Sequence, residues 1–267
     1  SPVAVKVTQT MSQRSESSCD RARLLPILNE IRILRKVRHP NIVLFHGACL
    51  GASDSTVMLV LERVSGEDLT IIISKMQTWK SASPNAGMMT QLSLQVCQAL
   101  IHLHTRRPGI VHADVKPENI IVEQRKGRLF PKLLDFGLSR IITRSATISG
   151  GTVRYMSPEV FAHLHSRPSA KADVFSFGRL IFFVASGRTP LAWMTTKMIK
   201  EETAGGNVPA LRWQPNTALL QAWRPIIERC TAWDLASRPT MEVVHELLMG
   251  QYQEEASQSA HGTSVSL

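Results

Sequence analysis

A carboxylate, an ammonium group and an amide stand close together in the segment IVHADVKPEN, residues 110–119. They belong to Asp114, Lys116 and Asn119, which fall within six residues of one another. Groups of these types can accept a proton, neutralise negative charge and bind a hard cation. Pro117 favours an irregular loop here, because proline lacks the N–H that a helix or strand ladder needs. On its own, the segment is also consistent with a polar turn between a helix and a strand.

A further carboxylate follows at Asp135, in the tripeptide DFG. Two strand-like runs, Ile120–Glu123 and Leu129–Leu134, lie between it and the loop. These runs can fold back as a hairpin, which would bring Asn119 and Asp135 to the same edge. Their side-chain oxygens are of the kind that Mg²⁺ prefers, so the sequence predicts that both residues face one metal site.

The elements that must position these groups are early strands and late helices. The alternation of Val3, Val5 and Val7 predicts a strand, and apolar spacing predicts a helix from Leu24 to Val37, ended by Pro40. The remaining predictions are a polar loop over 8–20, strands over 42–45 and 56–61, helices over 88–104, 173–187, 218–230 and 241–249, and a disordered tail over 251–267. This order favours an α+β fold with a small sheet-rich lobe and a larger helical lobe.

Further motifs complete a recognisable order along the chain. They are VAVK ending at Lys6, a helical Glu30, GTVRYMSPE over 151–159, DVFSFG over 173–178 and SRPT over 237–240. With the loop around Asp114 and the DFG tripeptide, this order over residues 3–240 resembles the catalytic domain of serine/threonine-type protein kinases. The wording YMSPEVF and SFG is similar to that of the tyrosine-kinase-like group of these enzymes.

The resemblance implies a two-lobed, protein-kinase-like fold. Residues 1–64 would form a partial β-rich N-lobe with the third strand, the long helix and the hinge. Residues 65–250 would form a mainly helical C-lobe, and residues 251–267 a disordered tail. The chain would transfer the γ-phosphoryl group of ATP to serine or threonine hydroxyls of protein substrates.

The resemblance also implies roles for the polar residues. Asp114 would accept or orient the proton of the substrate hydroxyl, and Lys116 would neutralise charge on the transferred group. Asn119 and Asp135 would hold Mg²⁺, with Mn²⁺ as the alternative ion. The cofactor-binding residues it implies, from phosphates to adenine, are Lys6, Glu30, Ala4, Leu61, Glu62, Val64, Asp68 and Ile121.

Within that set, Lys6 would contact the α- and β-phosphates of ATP and pair with Glu30. Leu61 would control access to the rear of the pocket, while the backbone from Glu62 to Val64 would bind adenine. Ala4 and Ile121 would sandwich the ring. Asp68 would reach the ribose or a basic substrate residue, although a charge at a helix start is the alternative.

Four other residues are expected to be structural rather than catalytic. In the family, the glutamate of the SPE motif pairs with a distant arginine, which here implies a buried pair of Glu159 with Arg238. Asp173 would cap backbone groups of the catalytic loop. His112 is expected to be buried beside Phe136.

The chain departs from the family pattern in two places. No Gly-rich loop precedes Val3, so we expect a fragment of a longer protein that binds ATP weakly until native upstream residues are restored. Ala113 stands where arginine usually grips a phosphate on the activation segment. The candidate phosphate acceptors at Thr143, Ser145, Thr147 and Ser149 are therefore not expected to act through position 113.

Composition limits the other partners. The net charge is +10, but the basic residues form short scattered groups, including 35–38, 106–107 and 125–128, without interleaved aromatics. Solvated surface or anionic partners are favoured over nucleic acid. No apolar run reaches the roughly 20 residues of a membrane span. The four cysteines form no CxxC pair, so reduced thiols and a cytoplasmic location are expected, with membrane attachment of a longer protein left open.

Two other functions are weighed against phosphorylation of proteins. A pseudokinase or nucleotide-binding scaffold usually lacks the lysine, the base or the metal carboxylate, whereas Lys6, Asp114 and Asp135 are all present. A small-molecule kinase would share the chemistry. The SPE segment and Thr152, however, resemble the peptide-docking region of protein kinases.

Overall fold

The strands of the described residues all end by Ile141, and helices alone follow them along the chain. The structure, a computed structural model, describes residues 2–9, 18–51, 56–78, 86–141, 152–162 and 169–262. Its small sheet-rich lobe and larger helical lobe confirm the predicted α+β class. Of the polar loop expected over 8–20, residues 8–9 belong to a strand and 18–20 to a helix. Residues 10–17 and the four candidate phosphate acceptors lie outside the described residues.

The small lobe is built on an antiparallel sheet. It contains β1 (Val3–Gln9), β2 (Phe45–Leu50) and β3 (Thr56–Glu62), in the order β1-β3-β2. Successive side chains of a strand point to opposite faces. Val3, Val5 and Val7 are accordingly exposed, while Ala4 and Lys6 share the other face and line a cavity.

The first helix begins and ends earlier than its apolar spacing predicts. The helix α1 spans Ser18–Leu34, and Pro40 lies beyond its end. Arg38 accounts for the earlier end, because its guanidinium donates to the carbonyl oxygens of Leu34 at 3.1 Å and Val37 at 2.8 Å. These bonds satisfy carbonyl groups that a helix end leaves without partners.

The predicted strand over residues 42–45 is wrong. This apolar run is almost wholly buried, but it belongs to the connection between α1 and β2, and β2 begins only at Phe45. The Val43 N–H donates to the carbonyl of Leu133, and the Leu133 N–H donates to that of Asn41. The run therefore pairs with the end of a later strand rather than forming a strand of its own.

Short strands frame the junction between the lobes. The elements are β4 (Glu67–Asp68), α2 (Leu69–Thr78), α3 (Ala86–His104), β5 (Ile110–Val111), a 3₁₀ turn (Pro117–Asn119), β6 (Ile120–Arg125), β7 (Arg128–Leu133) and β8 (Arg140–Ile141). β6 and β7 form the predicted hairpin, with Ile120 opposite Leu133. The Leu134 N–H donates to the carbonyl of Asn119 at 2.8 Å. This bond joins the two ends of the hairpin, next to Asp135.

The large lobe is organised around one buried helix. Its helices are α4 (Pro158–Ala162), α5 (Ala170–Ser186), α6 (Thr196–Ala204), α7 (Ala218–Cys230) and α8 (Met241–Gly262). Every residue of α5 from Ala172 to Ser186 is buried. A Cβ at Gly178 would lie 2.7 Å from Cβ of Cys230, so this glycine permits the close approach of α7.

The disordered tail expected over 251–267 is wrong for residues 251–262, because α8 continues to Gly262. Residues 263–267 lie outside the described residues. The continuation contains glutamines, glutamates and alanine, which propagate a helix already nucleated by its packed first turns. Gln91 on α3 also donates a hydrogen bond to the Tyr252 hydroxyl at 2.5 Å, which ties this part of α8 to the lobe.

No described helix is long and apolar enough to cross a membrane. Among the described cysteines, Cys97 and Cys230 are buried free thiols and Cys49 is an exposed one.

Two histidines meet where the connection after α1 packs on α3. The ring centroids of His39 and His102 lie 5.2 Å apart. Burial lowers the pKa of His39, as do the charges of His102 and Lys132. Burial and the charge of Arg106 lower the pKa of His102. In the unfolded chain both rings would return to ordinary pKa values near 6.5.

We expect this pair to weaken the fold in acid. Between the lowered folded pKa and the ordinary value, the unfolded state binds more protons, so stability rises with pH and falls on acidification. Lowering the pH from about 7.5 to about 5.5 should therefore reduce the melting temperature less in a His39→Asn/His102→Asn variant than in the unaltered protein. Circular dichroism measures both melting temperatures. An equal drop on acidification in the variant and in the unaltered protein would contradict this assignment.

Candidate active site

The loop that contains Asp114 is anchored to α5 through backbone hydrogen bonds. The buried carboxylate of Asp173 accepts hydrogen bonds from the backbone N–H groups of His112 and Ala113, both at 2.8 Å. His104 Nε2 lies 2.8 Å from the same carboxylate. Ala113 has φ 67°, a conformation that costs energy for a residue with a side chain. The predicted capping role of Asp173 is thereby confirmed, and its bonds hold the strained residue directly before Asp114.

Donors surround the carboxylate of Asp114 on both oxygens. Its Oδ2 accepts from Lys116 Nζ at 2.6 Å and from Asn119 Nδ2 at 2.9 Å. Its Oδ1 has only longer contacts, from the backbone N–H of Thr152 at 3.2 Å and its hydroxyl at 3.4 Å. Asp114 is 9% exposed, so the group is fixed in place and still reachable. Oδ1 is the oxygen with capacity for a further donor.

Thr152 connects the loop to the segment that follows the activation region. Lys116 Nζ donates to its hydroxyl at 2.8 Å. Three residues further on, the carbonyl of Tyr155 accepts from the Ser176 hydroxyl at 2.8 Å. Ser176 lies on α5, like Asp173, so the same helix supports both the catalytic loop and residues 152–157.

A second charged group forms between the lobes. Lys6 Nζ lies 2.9 Å from Glu30 Oε1 on α1 and 2.9 Å from Asp135 Oδ1. Burial lowers the pKa of Lys6, but the charges and hydrogen bonds of its two partners outweigh burial, so the pKa lies above its ordinary value. The pKa of Glu30 lies above its ordinary value, because burial and the charge of Asp135 together outweigh the lowering by Lys6 and by the backbone of Phe136.

The pKa of Asp135 moves in the opposite direction. Burial would raise it, but the hydrogen bond and charge of Lys6 prevail, so it lies below its ordinary value. The Lys6 ammonium and the Asp135 carboxylate are therefore both charged at neutral pH. A charged carboxylate is what a metal ligand at this position requires.

The backbone at Asp135 is as unusual as that at Ala113. Asp135 has φ 55°, and its Oδ1 accepts the N–H of Gly137 at 3.2 Å. Phe136 is fully buried with its ring edge against His112, at a centroid distance of 5.0 Å. His112 itself is buried, and its Nε2 lies 2.9 Å from the Leu134 carbonyl. These contacts confirm the buried position predicted for both rings, and they fix the direction of the Asp135 side chain.

A cavity of about 370 Å³ opens beside these charges. Its apolar wall includes Ala4, Leu61 and Ile121, and its polar end holds Lys6, Glu30, Asn119 and Asp135. Glu62 and Val64 also line it, so the structure brings together nine predicted cofactor and metal residues. Arg63, within the stretch Glu62–Val64 expected to bind adenine, also lines it. The lining is completed by residues that were not predicted to contribute to it, namely Leu34, Val43, Leu134 and Phe136. The position of Leu134 directly before Asp135 was the one available signal.

Asp68 is the predicted cofactor residue that the structure does not place in this lining. Its Oδ1 accepts the backbone N–H of Ile71 at 3.0 Å and also contacts the Thr70 hydroxyl. The hydrogen bond to Thr70 lowers the pKa of Asp68 most. Asp68 therefore caps the start of α2, which corresponds to the alternative stated from the sequence.

The donor set of the cavity fits a nucleotide with a hard cation. The apolar wall suits a flat ring, and the ammonium of Lys6 suits phosphate oxygens. Asn119 Nδ2 donates to the backbone carbonyl and Oδ2 of Asp114, which leaves the amide oxygen available to a cation. Within the described residues, no cluster of three or more His, Cys, Asp or Glu side chains could bind a metal. A cation here would thus need ligand oxygens in addition to Asn119 and Asp135.

The pair predicted between Glu159 and Arg238 is confirmed, with Arg238 buried and Glu159 partly buried. Arg238 Nη1 and Nη2 donate to the two carboxylate oxygens at 2.8 and 2.9 Å. The guanidinium also donates to the carbonyl oxygens of Ala232, Lys171 and Trp233. Because Glu159 starts α4, this pair fastens the end of the segment that contains Thr152.

Comparisons with known proteins agree with this geometry. The family model described as protein kinase domain matches residues 1–252. Serine/threonine-protein kinase VIK of Arabidopsis thaliana is 30% identical over 247 residues, which cover 90% of this chain and 52% of that protein. Serine/threonine-protein kinase CTR1 of the same plant is 29% identical over 252 residues, covering 93% of this chain and 28% of that protein.

A third relative is the dual specificity protein kinase splA of Dictyostelium discoideum. It is 28% identical over 260 residues, which cover 91% of this chain and 10% of that protein. The chain thus spans about half or less of the length of these three relatives.

Proposed function

The chain belongs to the protein kinase domain family, and from that premise we propose that it transfers the γ-phosphoryl group of ATP to serine or threonine hydroxyls of proteins. The observation that carries the proposal is the convergence of Asp114, Lys116 and Asn119 in one hydrogen-bonded group. That group adjoins a cavity whose polar end holds Lys6 and Asp135.

ATP with Mg²⁺ would supply the transferable phosphoryl group and neutralise part of its charge. Asn119 and Asp135 would hold the ion, and Lys6 would bind the phosphates while Glu30 keeps its ammonium in place. The adenine would lie between Ala4 and Ile121, against the backbone of Glu62 to Val64.

Asp114 would orient the substrate hydroxyl and accept its proton at Oδ1, the oxygen with the longer existing contacts. Lys116, held between Asp114 and Thr152, would lie where negative charge develops during transfer. Catalysis would then consist mainly of positioning and electrostatic stabilisation.

Phosphoryl transfer from labelled ATP to a basic protein substrate tests this function. With Mg²⁺ we expect phosphoserine and phosphothreonine, and removal of Mg²⁺ by a chelator should stop transfer. An Asp135→Asn variant should be at least about tenfold slower, because a neutral amide binds a divalent cation less well than a carboxylate. Label on tyrosine would revise the acceptor class. A folded protein that transfers to none of several substrates would refute the enzymatic function.

We also propose a cytoplasmic location, and the free thiols at Cys97, Cys230 and the exposed Cys49 support a reducing compartment.

A further inference from the structure

Three basic residues from distant parts of the chain converge on a pocket behind the active site. Lys36 follows the end of α1, and Arg106 and Arg107 follow the end of α3. The pocket measures about 350 Å³, and the adjacent residues Ile110 and Ile141, which are buried, also line it. It shares no lining residue with the nucleotide cavity.

The positive charge of this pocket is not compensated by the described part of the chain. None of the ion pairs formed by described carboxylates involves Lys36, Arg106 or Arg107. Some other basic residues do have carboxylate partners, as Lys75 has in Glu67 and Lys132 in Glu62. Three unpaired cations around one concavity attract an anion far more strongly than scattered surface charges do.

The donors of the pocket are partly fixed in position. Arg106 Nη2 donates to the backbone carbonyl of Lys36 at 2.7 Å, which joins the end of α1 to the end of α3. The Thr105 hydroxyl at the pocket wall donates to the Ile101 carbonyl at 2.8 Å. Since the Arg106 guanidinium carries five N–H donors, most of its donors remain available to a ligand.

His102 gives a second, independent indication. It lines the pocket, and its Nε2 is a buried atom without a hydrogen-bond partner. A buried nitrogen left unpaired is costly, which suggests that a ligand or water completes it. After burial, the charge of Arg106 contributes to the low pKa of the His102 ring, so the positive charge of the pocket acts on this histidine.

We propose that this pocket is a binding site for a phosphoryl oxyanion. Guanidinium groups match phosphate oxygens with paired N–H donors, and Lys36 adds a third cation. The phosphoryl group would come either from free phosphate or from a phosphorylated serine of a protein segment. Bound there, it would bridge the two helix ends and so tether α1, which carries Glu30.

Histidine resonances test the site without any assay of phosphoryl transfer. In protein with ¹³C-labelled histidine, the His102 signal is identified by its loss in a His102→Gln variant. One titration uses inorganic phosphate, and a second uses a short alanine-flanked phosphoserine peptide. We expect a saturable shift of the His102 signal. Saturation by phosphate assigns a free-ion site, and saturation by the peptide alone assigns a site for a phosphorylated segment.

An Arg106→Gln/Arg107→Gln variant should weaken binding by about tenfold or more, because it removes charged donors that contact the anion. The matched control is Arg128→Gln/Arg229→Gln, which removes the same charge from exposed positions outside the pocket lining and should bind as the unaltered protein does. An unchanged His245 signal checks that each variant is folded. The proposal is overturned if neither ligand shifts His102 saturably, or if the two double variants bind equally well.

Discussion

Replacing Asp114 by Asn should lower kcat by about 10²- to 10⁴-fold, the usual contribution of a positioned general base. Asparagine keeps the size of the side chain but cannot accept the substrate proton, and it places an amide among the donors of Lys116, Asn119 and Thr152. The KM for ATP should change little, since Asp114 does not line the nucleotide cavity. Steady-state kinetics at varied ATP and peptide concentrations separate these effects.

A matched control is Asp234→Asn. Asp234 is exposed and accepts hydrogen bonds from the backbone N–H and the hydroxyl of Ser237. Neither of these bonds involves a residue of the group around Asp114. This variant should retain full kcat. If Asp114→Asn loses less than about tenfold, or loses activity only through KM for ATP, Asp114 is not the residue that accepts the proton.

Replacing Arg238 by Met should lower the free energy of unfolding by about 3–5 kcal/mol, because it leaves a largely buried carboxylate at Glu159 without its partner. The Arg238 side chain is 0% exposed and Glu159 is 17% exposed. Methionine would also leave the carbonyl oxygens of Ala232, Lys171 and Trp233 without this donor. Denaturant unfolding followed by circular dichroism measures the change.

The exposed pair of Arg224 with Glu228 provides the comparison, with side chains 44% and 51% exposed. An Arg224→Met variant should lose no more than about 1 kcal/mol, as surface ion pairs do. If both variants lose a similar free energy of unfolding, burial does not make the Arg238 pair more important for stability than an exposed pair. Should Arg238→Met prevent folding, a Glu159→Gln variant, which keeps hydrogen-bonding atoms in place, offers the milder measurement.

Most of the candidate site could be predicted from the motifs, because their polar residues lie close together in the sequence or are joined by one hairpin. The group at Asp114 spans a few neighbouring residues, and the β6–β7 hairpin brings Asp135 back beside Asn119, so spacing alone predicts their meeting. Lys6 and Glu30 are separated by 24 positions, and their pairing followed from the resemblance to the family rather than from spacing.

What could not be predicted depends on tertiary context. The apolar run over 42–45 is suited to a strand, but the Val43 N–H donates to Leu133 across the lobe junction, and Leu133 donates in turn to the carbonyl of the preceding Asn41. Asp68 could serve a ligand or a helix, and only the fold shows its side chain bonded to Ile71. The meeting of Lys36 with Arg106 arises because two helix ends happen to adjoin, which neither local sequence reports.

The support that α5 gives to two loops has a consequence for how the substrates are bound. Asp173 and Ser176 are three residues apart, about one helical turn, and they anchor the catalytic loop and the backbone of Tyr155 respectively. The distance between Asp114, the proposed proton acceptor, and residues 152–157, the proposed peptide-docking segment, is therefore set within one rigid helix of the large lobe. Lys6 and α1 belong to the other lobe, so rotation between the lobes would change the grip on the nucleotide and leave the peptide register intact. Affinity for the two substrates would then be separately adjustable properties.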